Sequence, residues 1–283
     1  MLQILVVPRF AQAVLLLVIL FATSVSHAVP QAGSNADAGQ ISRDIVSAGR
    51  LRMQSQRLAK LYQQAGMGLN APQAMQQIDA SMREVDAEFG RLGRYAGKPG
   101  VQRVFNRSGT VWQEMRTALH HAPSPASAER VNQLADELML HTGKLSMLIE
   151  AEGEAPVGRL LDLSSRLNML SQRLARLYLL AQSGNRSQGV TVDIEQARKE
   201  FATGLDELAT ARENSSASRD AIGLARMQWI FFDSAISRLG VAGKGDDMAV
   251  QNVATSSERI AQVLDLASSQ YSRDYADGLR VVR

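Results

Sequence analysis

Apolar residues recur at three- and four-residue intervals through most of this chain. Met75, Ile78, Met82, Val85, Phe89 and Leu92 keep that spacing without a miss, which is the seam of an amphipathic helix. Val101, Val104, Val111, Met115 and Leu119 form a second seam, and Val131, Leu134, Leu138, Leu145 and Leu148 a third with His141 on the same line. Later, Ile194, Ala197, Phe201, Leu205 and Leu208 repeat the pattern, as do Val253, Ile260, Leu264, Ala267 and Tyr271. No stretch alternates long enough to predict a strand. Breakers fall between the seams, at Gly66–Pro72, Gly97–Gly100, Pro123–Pro125, Gly153–Gly158, Gly184–Gly189, Asn214–Ser218 and Gly240–Gly245. Eight helices with short connections predict antiparallel neighbours and an all-α fold of two four-helix bundles in tandem. The expected domains are residues 41–152 and 155–283, with a linker at 29–40.

The first thirty residues follow a different rule. A short segment carrying Arg9 leads into an apolar run from Phe10, and small residues end at Ser26-His27-Ala28. That order predicts a secretory leader cleaved after Ala28 and a periplasmic or otherwise exported mature chain. The rival is an inner-membrane anchor over residues 10–25, a run shorter than the roughly 20 residues a spanning helix needs. The mature chain would carry 30 basic against 28 acidic residues, a net of +2. So balanced a charge does not point to nucleic acid as a partner. The chain has no cysteine, which excludes disulfides, thiolate metal sites and cysteine nucleophiles.

The chain also repeats itself. RLRMQSQRLAKLY at 50–62 and RLNMLSQRLARLY at 166–178 agree at ten of thirteen positions, 116 residues apart and without a gap. Trp112 and Trp229 recur at nearly the same offset, each on the third helix of its set. A period spanning four helices predicts a duplicated domain.

On the first of these helices, Ile45, Ala48, Arg52, Ser55, Ala59 and Tyr62 share one stripe. Small residues there let another helix come close, and Arg52 sits in the middle, where a packing residue is expected. A buried guanidinium needs something anionic beside it. That partner could be a carboxylate of a neighbouring helix, or the side chain could snorkel to water.

The segment DIVSAGRLRMQSQRL, Asp44–Leu58, resembles the first-helix box of the periplasmic nitrate/nitrite sensor domain of the NarX and NarQ kinases. The second copy, SSRLNMLSQRLARLYLLA, is more similar to the N-terminal domain of type IV pilus chemotaxis transducers of the PilJ type. The resemblance implies a sensor-type, non-enzymatic helical module. It makes Arg52 the residue that binds nitrate or nitrite, flanked by Gly49 and Ala48. A planar guanidinium fork suits a planar anion with three acceptor oxygens. Asn168 stands at the equivalent place in the second copy and Ser164-Ser165 at Ala48-Gly49, which puts anion binding by that copy in doubt. No signalling output segment is expected after the second copy, so the implied partner is a membrane receptor or a second copy of the chain.

Arg57 and Arg173, with the adjoining Gln56 and Gln172, occur in both copies whatever stands at 52 or 168, and are expected to be structural. His120, His121 and His141 lack the Glu-x-x-His spacing of bundle metal sites. Neither a metal nor a cofactor is expected, and no catalytic pair of titratable groups stands out. The leading functional expectation is an accessory sensor of a small anion. The alternative is a structural or interaction module that docks on a membrane receptor or pilus-associated assembly and takes no small ligand.

Overall fold

A computed structural model describes residues 32–152, 158–238 and 247–281. Among them are eight α-helices and one 3-10 turn, with no strand. The helices are α1 (Ala32–Gly66), α2 (Ala71–Arg91), α3 (Gln102–Leu119), α4 (Pro125–Glu150), α5 (Gly158–Gln182), α6 (Gln188–Thr210), α7 (Ser216–Ser237) and α8 (Asp247–Val281). The 3-10 turn is Gly93–Gly97. The expected leader and anchor lie outside the described residues. No helix among the described residues is long and apolar enough to cross a membrane.

Local chemistry explains the boundaries. Pro125 opens α4 behind Ser124, whose hydroxyl accepts from the Ser127 N–H in a capping box. Ser187 and Ser215 cap α6 and α7 through the N–H groups of Val190 and Ser218. The chain leaves α1 through left-handed residues, Gly68 at φ 76° and Asn70 at φ 48°. One boundary differs from expectation. Residues 32–40, counted with the linker, are the first turns of α1; that stretch has no apolar seam, so periodicity gives no sign of it.

The helices pack as two sets with the same internal order. In the first, α1 lies against α2 and α4, and α3 against α4. The wider gap between α2 and α3 is bridged by large side chains: Phe89 meets Phe105 edge to face, and the Trp112 indole donates to Asp86 at 2.8 Å. In the second set α5 lies against α6 and α8, and α7 against α8. Phe201 and Trp229 stack across α6 and α7, with ring centroids 4.3 Å apart.

The two sets do not stand apart as separate domains in tandem. The described residues form one compact unit, because α1 packs lengthwise on α5 and also touches α8. Gly49 meets Ser165, Lys60 bonds Gln172 and Gln63 bonds Ser183, so α1 and α5 run parallel and nearly in register. Equivalent positions of the repeat therefore face each other across the centre of the molecule. The buried apolar residues make a single core that includes Ile45, Leu51, Leu58, Leu138, Leu167, Leu174, Phe201 and Leu264.

Candidate functional site

The Arg52 stripe faces inward. Ile45, Ala48, Ser55, Ala59 and Tyr62 are all buried, and the Arg52 side chain keeps only 17% of its surface exposed. Its guanidinium lies on Gly143 of α4. A Cβ added there would come within 3.3 Å of Nε and 3.4 Å of Cζ, so the missing side chain leaves the space that the guanidinium fills. The nearest carboxylate is Asp162 of α5, 3.9 Å from Nη1. That is an ion-pair distance, so a carboxylate of a neighbouring helix does stand beside Arg52, as the structural alternative expects, though too far for a hydrogen bond. Nε is buried and has no hydrogen-bond partner, an omission that costs about 1–3 kcal/mol. Burial lowers the Arg52 pKa from its ordinary value; Asp162 offsets part of this, and Arg166 adds to the lowering. Arginine nevertheless keeps its charge, so the site is a desolvated cation with spare donor capacity.

Gly49 is where α1 comes closest to α5. A Cβ added at Gly49 would lie 2.5 Å from Oγ of Ser165 and 2.6 Å from its Cβ. Ser165 is the repeat's own counterpart of Gly49, and its side chain occupies the space in question. The glycine thus serves helix-to-helix contact here. Asn168, the counterpart of Arg52, is buried on α5 and its Oδ1 has no partner.

The remaining motif residues hold the bundle. Arg57 donates to both oxygens of Glu258, each at 3.0 Å, and to Ser81 Oγ at 2.6 Å. Arg173 reaches Asp193 at 3.3 Å. Gln56 donates to the Ala135 carbonyl and to Asp136; Gln172 donates to the Ser257 carbonyl. His141 is half-buried, with Nε2 3.6 Å from Glu137. Among the described residues no three His, Asp or Glu gather as a metal site would require.

Sequence reasoning missed the two most deeply buried cations. Lys60 of α1 bonds Gln172 Oε1 at 2.7 Å, Ser257 Oγ at 3.0 Å, and Glu258 of α8. Its counterpart Arg176 of α5 bonds Asp136 at 2.6 Å and Asn132 at 3.0 Å, both on α4. Each central helix thus sends its cation across to the fourth helix of the other set. Burial works against charge on Glu258, but Lys60 and Arg57 outweigh it and hold that carboxyl at about 2. The signal was available in the repeat, since Lys60 and Arg176 are the one position in RLAKLY and RLARLY that changes residue and keeps its charge.

With that geometry in place, comparison adds a similarity over part of the chain. Residues 32–137 match the model described as the type IV pili methyl-accepting chemotaxis transducer N-terminal domain, PilJ. The match runs from the first turn of α1 into α4. It falls on the segment expected to resemble the NarX and NarQ sensors, so the PilJ-type similarity belongs to the first half of the chain, whereas the sequence motifs place it in the second. The domain so described is a sensing and signalling module of a non-catalytic kind. No curated protein and no solved structure matches the chain.

Proposed function

We propose that this chain is an exported sensing module that takes a small anion, nitrate or nitrite first, at Arg52. One observation carries the reading: a guanidinium buried against Gly143 with an unbonded Nε and its nearest carboxylate at 3.9 Å. An entering anion displaces Asp162 and receives the free donors. Because Arg52 projects between α4 and α5, occupancy biases the spacing of α1 against both, and binding becomes a mechanical event. The family match over 32–137 supports a sensing role.

Calorimetric titration with nitrate, nitrite, chloride and sulfate tests this. Nitrate or nitrite should give heat with the intact protein and none with Arg52→Ala, whose stability should be unchanged or improved. Asp162→Asn should tighten binding, because the competing carboxylate is neutralised. Asn168→Arg, which restores an arginine on the parallel helix, should create a second site. A protein that binds none of these anions ends the reading. So does an Arg52→Ala loss of about 3–5 kcal/mol, the mark of a buried structural pair. Export is tested by intact mass, which should lack residues 1–28; Met1 retained in a membrane fraction would favour the anchor at 10–25.

A second reading is favoured by α7. Leu224, Met227, Ile230 and Phe231 are exposed there, Phe231 at 68%, and contiguous exposed apolar surface marks interaction sites. On this reading the module docks on a membrane receptor or pilus-associated assembly. It leads if the anion titrations are silent.

A further inference from the structure

A groove runs along α1 between α2 and α8. Its upper part, about 310 Å³, is lined by Arg50, Met53, Gln54, Glu84, Glu88 and Asp265. It continues into a space of about 460 Å³ that shares Met53, Gln54, Glu84 and Asp265 and adds Arg57 and Glu258. In the upper part three carboxylates, Glu84, Glu88 and Asp265, stand against the guanidinium groups of Arg50 and Arg91.

The acceptors there are not used up. Arg50 spends Nε and Nη2 on Asp265, at 2.9 and 3.0 Å. Its Nη1, at 3.6 Å, and Arg91, at 2.5 Å, both approach Oε1 of Glu88. Oε2 of Glu88 has no partner, although the residue is only 4% exposed. Gln54 is equally buried, and its Oε1 is also unpartnered. Its amide orientation is fixed, because Nε2 donates to the Glu84 carboxylate and a flipped amide would set oxygen against oxygen. Two buried acceptors without donors, where carboxylates outnumber guanidinium groups by one, define what is missing: a cation that carries N–H groups.

We propose that this groove binds a small organic cation with a primary ammonium group. The ammonium donates to Glu88 Oε2 and Gln54 Oε1, and a short alkyl chain lies on Met53. The site uses none of the groups around Arg52 and does not depend on the anion reading.

The test titrates the intact protein with 1,4-diaminobutane, and with tetramethylammonium as a cation of equal charge per nitrogen but no N–H. The diamine should bind and shift the amide resonances of residues 50–54 and 84–88, while tetramethylammonium should bind at least about tenfold more weakly, the scale of one lost charge-assisted hydrogen bond. Glu88→Gln and Gln54→Leu should each weaken the diamine by a similar factor, with circular dichroism confirming the fold. Should Glu88→Gln fail to fold, Gln54→Leu alone decides. No diamine binding at millimolar concentration, equal binding of tetramethylammonium, or unchanged binding by the folded variants would each overturn the proposal.

Discussion

The two central helices carry nearly the same thirteen residues, yet they are finished differently. On α1 the sequence has Gly49 and Arg52; on α5 the same places hold Ser165 and Asn168. The small residue and the serine belong together, since the Ser165 side chain fills the space that Gly49 leaves open. A further contrast lies on the third helices. Arg107, Thr110, Gln113 and Glu114 make the exposed face of α3, whereas Leu224, Met227, Ile230 and Phe231 make the matching face of α7. The two halves share the crossed ion pairs and differ elsewhere: a buried cation at Arg52 in the first, an exposed apolar face on α7 in the second.

The largest effect should come from the crossed pairs, and it should be unequal. Glu258→Gln leaves Lys60 buried with neutral partners only, so urea unfolding should show a loss of about 3–5 kcal/mol. Asp136 is 43% exposed and Arg176 keeps Asn132 as a partner, so Asp136→Asn should cost less. Equal losses would mean the two pairs are interchangeable.

The same carboxylate sets an acid limit. A Glu258 pKa of about 2, below the ordinary carboxylate range, contributes stability that is fully present above that range. It is lost as pH falls toward 2. Stability measured from pH 5 downward should drop in that window, and Glu258→Gln should flatten the drop. A variant that loses stability with acid as steeply as the parent would assign the effect elsewhere.

Next comes the close approach of α1 and α5. Gly49→Ala puts a methyl on the Ser165 side chain and should cost about 1–3 kcal/mol, as overpacking does. Adding Ser165→Gly should recover much of the loss in a double-mutant cycle. Additive losses would show that these positions do not share one space. Smallest in stability is the surface contrast: Phe231→Glu on α7 should change the unfolding free energy by no more than about 0.5 kcal/mol. Its effect should appear instead as weaker retention on a hydrophobic column, where the matching change on α3, Glu114→Gln, should do little.

Much of the fold was legible because five helices carry apolar seams and breakers separate all eight, which local rules can see. The start of α1 was not, because residues 32–40 carry no seam. The inward placement of Arg52 was legible from its stripe, since neighbours at positions 48, 55 and 59 are small. What Gly49 touches was not: a parallel pairing of helices 116 residues apart leaves no trace in local periodicity. Lys60 was overlooked for a related reason. Lysine is almost never fully buried unless paired, and its partner Glu258 lies 198 positions away. The α2–α8 groove has the same origin, being assembled from helices at opposite ends of the chain.

The parallel meeting of α1 and α5 has one more consequence. Two helices that would have to find each other as separate molecules are here joined by the peptide chain, which holds one at high effective concentration beside the other. Their association therefore does not weaken on dilution, and the cell cannot tune it by making more or less of the protein. A change at one position also appears once rather than twice, so the left and right partners of the pair can be altered independently by inheritance, which two identical subunits never can.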